Sequence, residues 1–470
     1  MRFLNTSNYL LVIAAALLLA GCATYYERNI VFQDYVRQGE MEKAEKYLDK
    51  DKKIQKDRNR LLYLFNKGFL NHLQQNYAES NSFFNEADLL IEDYRKQHST
   101  ELLALISNPE VKPYRAEDFE AVFVHYYKAL NYVQRGQTNE AMIEARRINL
   151  KLQQLNDKYP KHKNRYSDDA FAHILMGLIY EAGNDFNNAF IAYRNAVALY
   201  EKDGGSAYFG TAMPDQLKRD IIRTAHIMGF SQEKAQFEKK FNMTYEPKEA
   251  ASGGELVFFW QNGFGPVKGE WSINFTILPG EAGMVTFVNE DYGINFPFYL
   301  GNGDKDKESG LEDLRIIRVA FPKYIERKKY FNSAAIVSKG KSFHLDEVEN
   351  VNEIAFKTLE DRFLREMANS LLRLAIKQVA AAQLGKENEA LGALASVAGA
   401  LTEKADTRNW QTLPYAVHYT RVPLDAGENK VQLKLNGPGQ QDVKEFTFDG
   451  VDGRTQFFPY HSIESLPPGS

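Results

Sequence analysis

The chain has 470 residues, a formal net charge of −4, 13% aromatic residues and a single cysteine. That length suffices for two or more domains with sizeable cores. The mild acidity argues against a nucleic-acid footprint, which needs a basic excess, and one cysteine excludes a disulfide framework or a Cys-ligated metal.

The first segment carries Arg2, an apolar run of about a dozen residues from Tyr9 to Ala20, and Leu19-Ala20-Gly21-Cys22. A positive start, a short apolar core and a small-residue cleavage site are the marks of a secretory signal. A membrane-spanning helix needs ~20 apolar residues and is the weaker reading. The cysteine closing the site resembles the lipobox of bacterial lipoproteins. The resemblance implies cleavage after residue 21, diacylglyceryl transfer to the Cys22 sulfur and acylation of its new amine. Two or three acyl chains anchor stably where one is marginal. Ala23, where Asp would mark inner-membrane retention, implies the outer membrane. Residues 1–21 are thus expected to be a signal peptide and 22–28 a lipidated tether.

Residues 29–245 read as helical, with little Pro or Gly and apolar residues at helix spacing. A self-similar unit is clearest from Ala170 to Leu199. Gly177 precedes Tyr180, Gly183-Asn184-Asp185 forms a turn, and Ala189, Tyr193 and Ala196 follow at steps of four and three. Leu64, Gly68, Tyr77, Ser80, Phe84 and Ala87 keep the same offsets, as do Ala129, Tyr132, Gly136, Ala141 and Ala145 in large part. Gly39 to Ala44, with Leu48, supplies a partial copy, and Asp215 to Phe241 reads as a closing pair turning at Gly229 and Ser231. The pattern resembles the tetratricopeptide repeat, a helix pair of ~34 residues; a generic helical bundle is the alternative. Small residues at Gly177 and Ala189 let two helices approach, and the Tyr193 ring is expected to fill the space toward the next pair. Insertions lie at Ser99–Ala116 and Asn156–Asp169.

At Ser252-Gly253-Gly254 the pattern changes. β-branched and aromatic residues bounded by Gly and Pro read as strands at Glu255–Trp260, Trp271–Ile277, Met284–Val288, Phe296–Leu300 and Arg315–Phe321. Helical periodicity returns from Leu345 to about Leu384, with Leu359, Phe363, Met367, Leu371 and Leu374 on one face. Strands resume at Tyr415–Val422, Lys430–Leu435 and Val443–Phe448. The expected fold is α+β: an all-α repeat array, then an α+β domain over 253–462 with strands around one long helix. The blocks Leu256-Val257-Phe258-Phe259-Trp260-Gln261-Asn262-Gly263-Phe264-Gly265-Pro266-Val267-Lys268 and Ala405-Asp406-Thr407-Arg408-Asn409-Trp410-Gln411-Thr412-Leu413-Pro414 resemble two blocks of a family of uncharacterised bacterial tetratricopeptide-containing lipoproteins. The order of lipobox, repeats, first block, long helix and second block fits that family as well. The resemblance implies an envelope setting and no defined activity.

Motifs for chemistry are scarce. There is no His-Glu-x-x-His, no Gly-x-Ser-x-Gly and no phosphate-binding Gly-x-x-x-x-Gly-Lys. Ser231-Gln232-Glu233-Lys234 matches Ser-x-x-Lys but lacks its companion elements, so Ser231 is expected to cap a helix. A calcium loop starting at Asp304 would need Gly and Glu where Ser309 and Arg315 stand. His98/Glu101, His344/Glu347 and His461/Glu464 are pairs without a third ligand. Asp406, Arg408 and Trp410 offer either a polar recognition pocket, since Trp and Arg dominate binding hot spots, or a turn braced over a Trp buried under the long helix. Ala390–Leu401 is small, apolar and too short to span a bilayer.

The sequence therefore points away from an enzyme, a metal site or a cofactor. It points to a scaffold that grips a peptide or helix in the concave face of the repeats. The expected setting is the bacterial outer membrane, held by the lipid anchor. The expected partner is another envelope protein, with peptidoglycan or its synthases as candidates, and no nucleic acid. The alternative is a glycan- or peptidoglycan-acting enzyme or binder in the C-terminal half, using carboxylates such as Glu403 and Asp406.

Overall fold

The computed structural model describes residues 25–50, 55, 57–96, 112–157, 165–202, 207–246, 251–279, 284–291, 293–299, 316–387, 404–439 and 441–469. Cys22, Ala390–Leu401, the 301–313 loop and the His98/Glu101 pair lie outside them.

Ten helices pair in sequence: α1 (Tyr25–Arg37) with α2 (Met41–Lys50), α3 (Arg60–Leu73) with α4 (Tyr77–Lys96), α5 (Asp118–Gln134) with α6 (Thr138–Asp157), α7 (Ala170–Ala182) with α8 (Phe186–Tyr200), and α9 (Asp215–Ile227) with α10 (Ser231–Phe241). All five turns are built alike. Gly39, Gln75, Gly136, Asn184 and Gly229 have positive φ. The next residue's N–H bonds back five residues in every case: Glu40 to Tyr35, Asn76 to Asn71, Gln137 to Tyr132, Asp185 to Tyr180 and Phe230 to Ala225. This is the left-handed helix stop that satisfies orphan carbonyls and reverses the chain.

Within the pairs a small residue on the first helix meets a large one on the second. A Cβ added at Gly68 would lie 2.6 Å from the Phe84 ring, and one at Gly177 would meet the Tyr193 ring. In the middle unit the equivalent positions are Ala129 and Ala145, both fully buried. Ser80, where the other units carry Ala, donates its hydroxyl to the Gly68 carbonyl at 2.7 Å. The Tyr193 ring thus lies on its own pair, over Gly177, rather than reaching toward the next one. Ala87, Ala141, Ala189 and Ala196 are fully buried, Tyr180 nearly so, and Tyr132 is half-buried against the same core. Ser231 is the first residue of α10 and makes no cap; Phe230 holds the cap position, and Lys234 pairs with Glu238 at 3.2 Å.

Among its described residues the second half has three four-stranded sheets. The first is β10 (Asp346–Asn350), β11 (Ala416–Pro423), β3 (Glu255–Asn262) and β14 (Thr455–Ser462), with β14 parallel to β3. The second is β13 (Gln441–Gly450), β12 (Gly427–Asn436), β8 (Ser333–Ser338) and β9 (Lys341–His344). The third is β6 (Ile294–Tyr299), β5 (Met284–Asn289), β4 (Val267–Pro279) and β7 (Ile316–Ile325). A short hairpin, β1 (Ala207–Tyr208) and β2 (Thr211–Ala212), follows α8.

The first two sheets enclose a core of Leu256, Phe258, Trp260, Ile336, Val422, Val431, Leu433 and Leu435. The third packs Ile273, Phe275, Phe287 and Val319 on Met367, Leu371 and Leu374 of α11 (Val351–Glu387). Of the residues expected to begin that helix, Asp346–Asn350 form β10 instead; pairing with β11 overrides the helix preference of Glu347 and Glu349. β8, β9 and β14 were not anticipated. Among the described residues no helix is long and apolar enough to cross a membrane.

Candidate functional site

The first helices of the pairs line the inner face of the array, and that face is filled. β3 is buried on both sides: Leu256, Phe258 and Trp260 enter the sandwich, whereas Val257 and Phe259 join the core of the helices. One continuous cluster holds Phe65 and Phe69 of α3, Tyr127 of α5, Phe171 of α7, Tyr419 of β11 and Phe457 of β14. Tyr127 of α5 donates to Gln261 at 3.0 Å, and Gln261 donates to Tyr126 at 3.1 Å. The expectation of a groove open to a partner peptide is corrected here. Sheet and helices each contribute apolar side chains to this one cluster, and burying them together removes both from water.

The segment 405–413 is the deepest part of this joint. Trp410 is 2% exposed, stacked on Phe65 with centroids 4.3 Å apart. Its backbone N–H donates to Glu120 at 2.7 Å and its indole to Thr412 at 2.9 Å. Arg408 forks onto Asp406 at 2.8 and 2.7 Å, donates to the Arg58 carbonyl at 2.8 Å and lies over the Tyr114 ring. Asn409 bonds the Pro266 carbonyl and receives the Lys268 N–H, tying the two sequence blocks together. The three candidate recognition residues, Asp406, Arg408 and Trp410, are thus brought together, and what they contact is the helical array of the same chain. Trp410 is buried against α3, not under α11.

Two ionic clusters tie the helices to the sheets, the first of them beside the segment. Glu117, at the start of α5, takes ion pairs from Lys268 of β4 and Arg362 of α11. Burial works to raise its carboxyl, but the two cations hold it down at about 2. Burial and the Glu117 charge push Glu120 up to about 7, against the hydrogen bond from Tyr114. In the second cluster Arg421 of β11 pairs with Glu181 at 2.6 Å, Asp220 at 3.0 Å and Glu255 at 2.6 Å. Tyr193 donates to Glu181 at 2.9 Å and Tyr419 to Asp220 at 3.0 Å. These residues come from α7, α8, α9, β3 and β11. Arg327 is buried with its guanidinium on the carbonyls of Gly265 and Gln411 and on Gln33; burial pushes it down to about 9.

The chemistry of this arrangement is cohesion. Glu120 accepts from Tyr114, the Glu117 N–H and the Trp410 N–H, so three of its four lone-pair sites are occupied. Asp406 is spent on Arg408, and Glu403 lies outside the described residues. Among the described residues no three His, Cys, Asp or Glu side chains converge on a metal position. A cleft of about 140 Å³ borders the Glu117 cluster, lined by Ile91, Tyr94, Arg115, Glu117, Ala121 and Lys151 among others. Sequence reasoning missed Glu117, Lys268, Arg362, Glu181, Asp220 and Arg421. A signal for one of them was present: Arg421 is the one Arg or Lys in the strand run Ala416–Pro423, a charge that needs partners if the strand is buried.

No protein-family model and no curated protein matches this chain. Similar solved structures include the apo form of RapI, 12% identical over 50% of this chain, with a TM-score of 0.34. The match takes in 58% of RapI's own length. BtubC from P. vanneervenii is 13% identical, covering 48% of this chain and 84% of BtubC, TM-score 0.30. A Podosopora anserina protein with nearly identical TPR-like repeats is 16% identical, covering 46% of this chain and 92% of its own, TM-score 0.27.

Proposed function

We propose that this protein is a non-enzymatic interaction scaffold of the bacterial cell envelope, tethered to the outer membrane by acyl chains on Cys22. The helical pairs act as a cradle that fixes the C-terminal half, and that half carries the working surface. The observation behind this reading is the filled joint: the inner face of the helices is occupied by β3, β11, β14 and Trp410. The partner therefore meets an outer surface. The face made by β4–β7 and α11 is the favoured one, because it exposes Tyr299 beside Leu278 and Leu364, and Tyr is among the side chains enriched at binding hot spots. The partner class is an envelope protein, with peptidoglycan or its synthases as candidates.

The test is a photo-crosslinking residue at Leu364 or Tyr299 in cells, beside one at Lys430 on the sandwich. A discrete adduct from these two positions, absent from Lys430, is expected. Intact mass of the purified chain reads the anchor separately, and Cys22→Ala should release the protein from the membrane fraction. A chain found unmodified, or adducts that never rise above those at Lys430, would count against the proposal.

A further inference from the structure

A sheet edge leaves backbone N–H and C=O groups without partners, and natural edges are blunted by Pro, bulges, short strands or covers. Among the described residues the three sheets have six edges, and five follow that rule. β6 carries Pro297, β7 Pro322 and β14 Pro459. β9 has four residues, and the pairing of β10 shifts between Glu347 and Glu349. β14 is also covered by the end of α5, where Gln134 donates to the Phe457 carbonyl at 2.5 Å. β13 is the exception. It runs ten residues without Pro and pairs with β12 residue for residue, with no shift. Its inward-facing charges, Asp442 and Lys444, pair with each other at 2.9 Å and are confined to its beginning.

Two contacts fix which groups of β13 are free. The Asp449 carbonyl accepts the Gln456 side chain at 2.8 Å, and the Asn436 carbonyl of β12 turns away from β13 to the Asn332 N–H. Residues of an antiparallel pair alternate between bonding the partner and facing away. The even residues of β13 therefore bond β12, and the odd ones face outward. Among the described residues nothing pairs with the outward backbone groups of Val443, Glu445 and Thr447. Beside this edge Phe446 and Phe448 sit half-buried at the rim of the sandwich, against Phe458 and Tyr460 of β14. Ring centroids lie 4.9 Å apart for Phe446 and Phe458 and 5.3 Å for Phe448 and Phe458. These rings meet at 57° and 80°, presenting edges and not the flat platform on which a sugar ring stacks.

We infer that the β13 edge from Val443 to Thr447 takes up an extended segment of a second protein as an added strand, with apolar side chains at alternate positions set on the Phe446, Phe448 and Phe458 rim. The main-chain bonds supply affinity and the rim supplies selection. The outer face carries both signs, Glu445 and Asp449 on β13 and Lys430 and Lys434 on β12, so charge does not set the choice. Lys430 lies one strand in from the edge, opposite Thr447, and is not part of the site. A second copy of this chain does not suit the edge. A two-fold axis that pairs β13 with its duplicate also sets β14 and α5 against their duplicates, where Pro459 and Gln134 already block pairing. A single strand meets β13 alone. The inference rests neither on the lipid anchor nor on the β4–β7 face.

The experiment uses the full chain in detergent and a fluorescent peptide with the sequence of β12, Gly427–Asn436. That sequence pairs with β13 on its other side and places Val431, Leu433 and Leu435 on one face. Binding is read by anisotropy. Saturable binding is expected, weakened about tenfold or more when those three peptide residues are replaced by Ser. Glu445→Pro removes an outward N–H and no bond to β12. It should keep the fold, read by circular dichroism, and weaken binding about tenfold or more, whereas Glu445→Gln leaves binding unchanged. Thr447→Pro applies the same test should Glu445→Pro unfold. A peptide that fails to saturate, equal binding by a folded Pro variant, or self-association of the free chain that the Pro variant abolishes overturns the inference.

Discussion

Trp410→Ala tests whether helices and sheets unfold as one body. The indole is buried at 2% exposure and stacked on Phe65 at 4.3 Å, with Phe84 and Tyr127 rings within 5.8 Å. Truncating a buried Trp costs about 3–5 kcal/mol through lost transfer energy and the cavity left behind. Of that, the aromatic contacts account for about 0.5–1.5 kcal/mol. The hydrogen bond from the indole to Thr412 is lost too, although Thr412 keeps its bond to Asn66. A loss near 4 kcal/mol, with an unfolding entropy scaled to this chain length, corresponds to a fall of about 4–5 °C in melting temperature. The assay is urea and thermal unfolding followed at once by far-UV circular dichroism and by tryptophan emission. One shifted transition, seen identically by both probes, is expected. A double cycle with Phe65→Ala should return a coupling of about 0.5–1.5 kcal/mol, the stacking share. A loss below about 1 kcal/mol, or a helical transition that stays at the wild-type midpoint, refutes the account of the joint.

Further predictions follow the same physics. Gly68→Ala forces a methyl into the Phe84 ring and should cost about 1–3 kcal/mol by overpacking, read from the urea midpoint. Arg421→Met leaves Glu181 and Asp220 buried with one cation fewer; a destabilisation of about 3–5 kcal/mol is expected, and a change under 1 kcal/mol by the same assay would show the cluster to be solvated. Burial pushes His72 and His461 down to about 4 and His418 to about 3. Their folded values lie below the unfolded 6.5, so the unfolded chain binds protons first. Stability from each is complete above about pH 6.5 and is lost as pH falls toward the folded value, about 3 kcal/mol for His72 or His461 and about 5 kcal/mol for His418. Glu120 works in the opposite sense, losing stability as pH rises from 4.5 to about 7. His72→Gln, which keeps a donor for Asn131, isolates the histidine share: its melting temperature should fall less steeply with acid than the wild type.

Much of the helical half was legible because its information is local. The Gly68–Phe84 and Gly177–Tyr193 offsets are short in sequence, and the left-handed turn at Gly39, Gly136 or Gly229 marks a reversal with one residue. The strands were partly legible: β3 reads as a run with no alternation, which is what burial on both faces demands. β10 was hidden because its glutamates favour a helix and only its partner β11 makes it a strand. The site was least legible. Asp406, Arg408 and Trp410 stood out by residue type, but type does not say whether a Trp faces water or a neighbour.

The sequence by itself determined the pairing of the helices, the change to strands after Ser252 and the signature at Cys22, since each depends on residues a few steps apart. Only the tertiary structure decided that the groove is occupied from within and that Glu117, Lys268 and Arg362 form one cluster. Those outcomes depend on which apolar and charged surfaces meet across hundreds of residues, and no spacing along the chain records that meeting.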